Sequence, residues 1–420
     1  MKKTSPKIGL ISLGCAKNFA DLEAIVAGLN DVVLTDVDDS EIVLLNTCGF
    51  LKSARDEVYE NLRELSGKKV VVLGCLAGKF TQKDFKKYPQ IAAVVTSANY
   101  KNISSVVEKV AKGEKVYLVA NEPSVFERVN GKILLGARSY AYIKIAEGCN
   151  NRCSYCLIPY LKGRYRSRPL EDILDEARSV IKRGVKEIIL VAQDCGFYGG
   201  GKLPELLKRL VEIKGDFWIR VLYIYPERVT RELLDVMASS DKICKYLDMP
   251  LQHGDPAILK AMNRPNDLKK IFAKIKLIRE IVPGITLRTS LIVGFPGESA
   301  MAYDNLVNFV EKIKFDHVGV FEYSREKGTP AYGLHGQVAA HVKNERRAKI
   351  MKVQQKISLE KNRAMIGRVV RVLIDRDGVG RSERFAPEVD GEIHVSGKAG
   401  GFVDVQITGA DEYDLSGRVV

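Results

Sequence analysis

The sequence has no long apolar run. Stretches such as Val70 to Gly78 are far too short to span the hydrocarbon core of a bilayer. The opening Met1-Lys2-Lys3-Thr4-Ser5-Pro6 leads directly into a strand-like segment, so no signal peptide is expected. The paired-cysteine pattern of a secreted disulfide scaffold is also missing. Eight cysteines in a 420-residue chain, without that pattern, fit a reducing cytoplasm and metal ligation. Nor is there an obvious acid–base pair of the kind that moves protons in polar catalysis. Apolar residues make up 46% and charged residues 28%, the balance of a soluble globular protein with room for two or three domains.

The formal net charge of +14 suggests an anionic partner, most simply nucleic acid. Its distribution argues otherwise for one end of the chain. From Arg371 to Val420 there are six basic and ten acidic residues, so this segment is net negative while the remainder is more basic than the total implies. Nine basic residues lie between Lys343 and Arg368 in a helical pattern that starts at Ala340. A solvated helix face is the simple reading of these, and a polyanion contact the sharper one.

The most informative stretch is Glu147-Gly148-Cys149-Asn150-Asn151-Arg152-Cys153-Ser154-Tyr155-Cys156. Its C-x3-C-x2-C spacing lets one loop wrap three corners of an iron–sulfur cubane, with thiolates as soft ligands for iron. A fourth nearby cysteine is absent, which leaves one iron open to a small molecule. A zinc knuckle is the alternative, but zinc favours paired C-x2-C arms and four protein ligands.

Three further cysteines follow apolar strands. Cys15 follows Leu13-Gly14, Cys48 follows Asn46-Thr47, and Cys75 follows Leu73-Gly74. Strands at Lys7–Ser12, Ile42–Asn46, Val70–Gly74 and Ala93–Thr96 alternate with helices at Asp21–Leu29 and Ser53–Leu65, a pattern predicting a parallel sheet covered on both faces. Loops at the carboxyl ends of such strands converge. Three independent core cysteines are the alternative, but their equivalent places at strand ends lead us to expect a second open cluster site.

The segment from 121 to 139 reads as a linker with a small hairpin at Asn130-Gly131. Six strands follow, at Tyr140–Ala146, Glu187–Ala192, Ile219–Ile224, Lys245–Met249, Leu287–Val293 and His317–Tyr323. Helices between them, the clearest at Leu170–Arg183, predict an incomplete parallel barrel with its active groups at the strands' carboxyl ends. Short β-rich runs at Val370–Ile374, Glu392–Val395 and Phe402–Ile407 predict a small antiparallel barrel of the OB kind.

C-x3-C-x2-C after a short apolar strand resembles the radical S-adenosylmethionine (SAM) superfamily. The whole arrangement is similar to the methylthiotransferase family. Its RimO branch is matched by Leu13-Gly14-Cys15-Ala16-Lys17-Asn18, Asn46-Thr47-Cys48-Gly49-Phe50, Tyr165-Arg166-Ser167-Arg168-Pro169, Tyr246-Leu247-Asp248-Met249-Pro250-Leu251-Gln252-His253, Tyr323-Ser324-Arg325-Glu326-Lys327-Gly328-Thr329-Pro330 and Ala386-Pro387-Glu388-Val389-Asp390-Gly391. The resemblance implies an α/β multidomain protein: a Rossmann-like methylthiotransferase domain (5–122), a linker (123–138), a partial (β/α)6 TIM-type radical SAM core (139–365) and an OB-like TRAM barrel (366–420). It implies two [4Fe-4S] clusters, one held by Cys149, Cys153 and Cys156 and cleaving SAM to a 5′-deoxyadenosyl radical, the other auxiliary, held by Cys15, Cys48 and Cys75 and supplying sulfur. The implied substrate is an aspartate β-carbon in the twelfth small-subunit ribosomal protein, free or in the ribosome. A reductant such as flavodoxin or ferredoxin, a monomeric cytoplasmic enzyme, and nucleic acid contact only through the ribosome complete the expectation.

A tRNA adenosine methylthiotransferase and a non-catalytic iron–sulfur RNA- or ribosome-binding protein are the alternatives. The acidic C-terminal segment disfavours RNA phosphates and suits a basic ribosomal protein. Tyr155, Gln193, Arg288, Gly294 and Gly297 are candidate SAM contacts, with Gln193 and Arg288 placed at strand ends. Lys162, Arg164, Arg166 and Arg168 form a basic loop that would steady substrate or the SAM carboxylate, or be a solvated rim. Cys195 stands where the family usually has Thr, and both it and Cys244 read as core residues.

Overall fold

Six short strands alternate with helices at the start of the chain: β1 (Lys7–Ser12), β2 (Val33–Leu34), β3 (Ile42–Thr47), β4 (Lys69–Gly74), β5 (Ile91–Val95) and β6 (Val116–Leu118). They form one sheet in the order β2-β1-β3-β4-β5-β6, parallel throughout. The pleat divides the apolar residues between two cores. Ile42, Leu44, Val71 and Leu73 face Leu22, Ile25, Val106 and Val110 on one side. Val43, Leu45, Val70 and Val72 face Val58 and Leu62 on the other. Helices on both faces explain why the central strands are apolar at almost every position rather than at alternate ones.

This computed structural model describes residues 5–120, 132–397 and 400–420. The hairpin expected at Asn130-Gly131, and much of the expected linker, lie outside them. The described chain divides into two compact units, one of Met1–Leu135, Lys144–Asn151 and Cys156–Glu176, the other of Gly136–Ile143, Arg152–Tyr155 and Ala177–Val420. After β7 (Tyr140–Lys144), whose first residues open the second unit's sheet, the chain returns to the first unit. There β8 (Ala146–Glu147) pairs antiparallel with β9 (Arg166–Ser167).

In the second unit β10 (Glu187–Val191), β11 (Trp218–Val221), β12 (Tyr246–Asp248), β13 (Thr286–Val293) and β14 (His317–Glu322) follow β7. Two three-stranded sheets, β11-β10-β7 and β12-β13-β14, are joined by a parallel bridge between Ile219 and Ile243, just before β12, and by the Ile224 amide donating to the Asp248 carbonyl at 2.9 Å. The result is the six-stranded, incomplete parallel barrel expected from the sequence. The 24-residue helix Ala340–Arg363 packs Ile350 and Ile357 against Leu291, Val293 and Val320.

A closed barrel ends the chain, with β15 (Val369–Arg376), β16 (Val379–Arg381), β17 (Ile393–His394), β18 (Phe402–Ala410) and β19 (Leu415–Val419) in the order β15-β16-β17-β19-β18, antiparallel as expected except that β17 runs parallel to β19. Val372, Ile374, Phe385, Ile393, Val405 and Leu415 fill it. It docks on the amino ends of the parallel strands through buried charge and one aromatic contact. Glu187, the first residue of β10, is 2.6 Å from Arg220 and 2.8 Å from Arg381. Tyr246, the first of β12, donates to Asp390 at 2.6 Å, and Tyr140, the first of β7, donates to Glu388 at 2.8 Å. Trp218 meets Phe402 edge-on at 4.8 Å. The end of the barrel away from the strands' carboxyl termini is thus closed by the C-terminal module.

Candidate functional site

Cys15, Cys48 and Cys75 each lie just past the carboxyl end of a neighbouring strand, β1, β3 and β4, and all three are partly exposed. The loops that carry them are stitched together by polar side chains. Buried Asn18 donates through Nδ2 to the carbonyls of Leu13 and Thr47, both at 3.0 Å, and its Oδ1 accepts from the Cys75 thiol at 3.3 Å. Asn46 donates to the Asn18 carbonyl at 2.6 Å. The Thr47 carbonyl accepts from the Cys75 amide at 2.8 Å, and the Thr47 hydroxyl from the Leu76 amide at 3.1 Å.

Two glycines allow the loops to approach. Gly14 has φ of +98°, and a Cβ there would sit 2.8 Å from Cys48 Cβ. Gly74 has φ of +86°, and a Cβ would meet the Thr47 carbonyl oxygen at 2.4 Å.

The electrostatics of the trio are graded. Burial raises the Cys15 thiol, but Lys17, the amides of Asn18 and Lys17, and Lys162 outweigh it and leave the group lowered. Burial raises Cys48. Burial pushes Cys75 up to about 11 against the pull of Lys162, and the charges of Cys15 and Cys48 add to the rise. Among the described residues, no three His, Cys, Asp or Glu side chains converge as tightly as a single metal ion needs. A cubane asks for something wider, since its thiolates bind separate irons at separate corners. Three cysteines on three separate loops, without paired C-x2-C arms, fit that group better than a lone zinc.

Lys162 differs from the expected rim residue. It is buried, 3.4 Å from Glu147, and Glu147 also meets Lys144 at 2.7 Å. Lys144 reaches Asp21 at 2.6 Å. Cys75, Glu147 and Asp21 together hold the Lys162 ammonium protonated against the cost of burial. Of the other basic-loop residues, Arg166 donates to the carbonyls of Arg164 and Lys162, and Arg168 pairs with Glu176 at 2.6 Å. Arg164 alone of the four stays exposed. The loop's charge is mostly structural because the ordering of these turns consumes it.

In the second cysteine motif, Cys149 and Cys156 fall in the first unit and Cys153 in the second. The Cys149 amide donates to Gly163 at 3.2 Å. The stretch Arg152–Tyr155 is held by the end of the helix Pro256–Ala261. The Ser154 amide donates to Met262 at 3.0 Å, its hydroxyl donates to Ala261 at 2.7 Å, and Asn263 donates to the Arg152 carbonyl at 2.8 Å. Tyr155 packs on the cluster of Ile258, Met262, Phe295 and Tyr323.

Gln193 lies two residues past β10. Gly294 directly follows β13, and its amide donates at 2.7 Å to Glu298, which also meets His253 at 3.3 Å and Arg346 at 2.7 Å. Gly297 donates to Gly336 at 2.9 Å. Arg288 is placed differently from the expectation. It is the third residue of β13, near that strand's amino end, and stands 3.2 Å from Asp248 and 3.3 Å from Asp390. Buried carboxylates claim its charge at the barrel's closed end, so it is a docking residue. Cys195 and Cys244 are fully buried, as read from the sequence.

Residues 7–96 match the Uncharacterized protein family UPF0004, residues 143–310 the Radical SAM superfamily, and residues 366–420 the TRAM domain. The chain is 43% identical over 433 residues to the ribosomal protein uS12 methylthiotransferase RimO of Elusimicrobium minutum, covering 99% of this chain and 100% of that protein. It is 42% identical over 451 residues to the RimO of Acetivibrio thermocellus, covering 100% and 99%. The chain belongs to the RimO methylthiotransferase family.

Among solved structures, the radical SAM methyltransferase TsrM from Kitasatospora setae, with cobalamin and a [4Fe-4S] cluster bound, superposes with a TM-score of 0.56 at 17% identity, covering 78% of this chain and 77% of that chain. That likeness speaks to the fold. RimO membership makes the chain a radical SAM transferase with two [4Fe-4S] clusters and SAM as cofactors. Among the described residues, no helix is long and apolar enough to cross a membrane.

Proposed function

We propose that this RimO-family chain inserts a methylthio group at the β-carbon of an aspartate in ribosomal protein uS12. The observation that carries the reading is similarity to uS12 methylthiotransferases along the whole chain, with all three family segments present. Cys149, Cys153 and Cys156 are the assigned ligands of the SAM-cleaving cluster, and Cys15, Cys48 and Cys75 those of the auxiliary cluster. When bound, the two clusters supply one-electron reduction of SAM and a source of sulfur.

The chain's own residues position these groups. Asn18, Asn46 and Thr47 fix the three auxiliary loops, and Lys162 sets a buried positive charge that Cys75 feels. Tyr155, Gln193, Gly294 and Gly297 are the assigned SAM contacts. A C–H bond broken homolytically needs placement and exclusion of water rather than a side-chain base. The acidic C-terminal barrel is the assigned dock for the basic ribosomal protein. The enzyme is assigned to the cytoplasm as a monomer, with a flavodoxin- or ferredoxin-type reductant and no membrane or direct nucleic acid partner.

Anaerobic incubation of the reconstituted protein with SAM, a reductant, uS12 and tRNA tests the reading. Deoxyadenosine and a methylthio group on uS12 alone are expected. Modified tRNA, or the absence of deoxyadenosine, would replace it with one of the two alternative functions.

A further inference from the structure

Four consecutive residues at the end of a short helix grip three consecutive residues of the cysteine loop. Ala261 and Met262 accept from Ser154, and Asn263 donates to Arg152. Arg264 then reaches the residue between them, its Nη1 lying 3.8 Å from Cys153 Sγ. Nothing about the spacing of Met262-Asn263-Arg264 marks it as part of a metal site in sequence. The fold brings it there because Asn263 adopts φ of +55° at the helix end, a left-handed conformation that asparagine tolerates, and this turns the next side chain back toward the loop.

Arg264 is 8% exposed, and its surroundings are built to keep a guanidinium in one pose. The planar group stacks on Tyr225, with its central carbon 4.0 Å from the ring centroid, and Nη2 donates to the Pro250 carbonyl. Nε is buried and has no hydrogen-bond partner among the described residues. Holding a charged group in such a place costs free energy unless something anionic compensates it. No carboxylate pairs with Arg264 among the described residues. The groups that face it are Tyr155, Cys153 and Tyr225.

We propose that Arg264 is a positioning residue for the SAM-cleaving cluster. It donates to the Cys153 sulfur and sets a fixed positive charge against that corner, favouring the reduced, more negative cluster. The inference rests on the reading that Cys153 is a cluster ligand. Donors and cations at a ligating sulfur raise a cluster's potential. Lysine would not reproduce the effect, since it offers neither the stack nor a second donor held in the same plane.

The test uses the full chain reconstituted with iron and sulfide. The Cys15→Ala, Cys48→Ala and Cys75→Ala changes are added so that a single cluster reports in redox titrations followed by electron paramagnetic resonance. Arg264→Gln should keep the cluster's iron and lower the equilibrium constant for one-electron reduction about tenfold, a shift of ~59 mV to more negative potential. A potential equal to the parent's overturns the proposal.

A second measurement reads the contact itself. Protein labelled with 15N-arginine and reduced should show a weak nitrogen coupling to the cluster in pulsed resonance spectra, lost in Arg264→Lys. A reduced cluster with no arginine coupling overturns the Arg264 assignment and leaves the cluster reading intact. A parent that binds no cluster, or a Cys153→Ala variant that retains a normal one, overturns both.

Discussion

At the scale of single residues, Gly14 decides whether three loops can share one cluster. Its φ of +98° and the 2.8 Å approach to Cys48 leave no room for a methyl group. Gly14→Ala should therefore abolish the auxiliary cluster while sparing the other, reducing iron per chain by about half. Gly113→Ala is the matched control. It has φ of +88° with nothing within 4 Å of the added carbon, so it should cost about 1–2 kcal/mol of stability and no iron. Iron assays and thermal melts on both variants check this.

The strand-end positions of Cys15, Cys48 and Cys75 were legible in the sequence because an apolar run precedes each. Asn18, Lys162 and Arg264 were not. A buried lysine beside Glu147 reads in sequence like any basic loop residue, and only the tertiary fold shows what its charge faces. Arg288 misled for the same reason. Its strand was correctly read, but Asp390, 102 residues later, claims the side chain at the other end of the barrel.

At the scale of elements, the buried charges between the two barrels carry the clearest stability predictions. Burial raises the Glu187 carboxyl, but Arg220 and Arg381 outweigh it and hold the group below its ordinary 4.5. Asp390 is likewise held down by His317 and Arg288 against burial. A carboxylate lowered in the folded state binds fewer protons there than in the unfolded chain. Its contribution is complete above about pH 4.5 and is lost as pH falls through the lowered value. Urea titrations at pH 6 and pH 4 should show a drop for the parent and a smaller one for Glu187→Gln.

Glu187→Ala should cost about 3–5 kcal/mol at neutral pH, since it takes the carboxylate from buried Arg220 and leaves Arg381 paired with Asp375 alone. Truncation after residue 365 should lower the melting temperature further by opening the same network. Most strands were readable to within a residue or two from apolar runs. The early start of the helix Ala16–Ala27 was not, because Asp21 and Glu23 are buried against Lys144 and Lys132, a placement that hydrophobic periodicity counts as exposed. The strand Leu415–Val419 escaped notice with Gly417 at its centre.

At the scale of the whole molecule, charge separation along the chain matches the chemistry of the substrate. An acidic C-terminal barrel on an otherwise basic protein should attract free uS12 through screened, long-range forces. Binding should weaken several-fold between about 0.05 and 0.3 M salt, as the Debye length shortens below the separation of surface charges. Titration of labelled uS12 at the two ionic strengths reads this, and a salt-independent affinity would place the dock elsewhere. The architecture as a whole was legible because strand–helix alternation, cysteine placement and the terminal β-rich segment each specify a different layer arrangement. How the C-terminal barrel closes the floor of the parallel one was not, since it depends on pairs such as Tyr140 with Glu388 that lie 248 residues apart.

The most direct test compares the parent with the Cys15→Ala, Cys48→Ala, Cys75→Ala protein in one anaerobic reaction, reading deoxyadenosine and the intact mass of uS12 together. The parent should produce both deoxyadenosine and methylthiolated uS12, and the triple variant deoxyadenosine alone. Methylthiolated uS12 from the variant would contradict a separate sulfur-supplying cluster at those three cysteines.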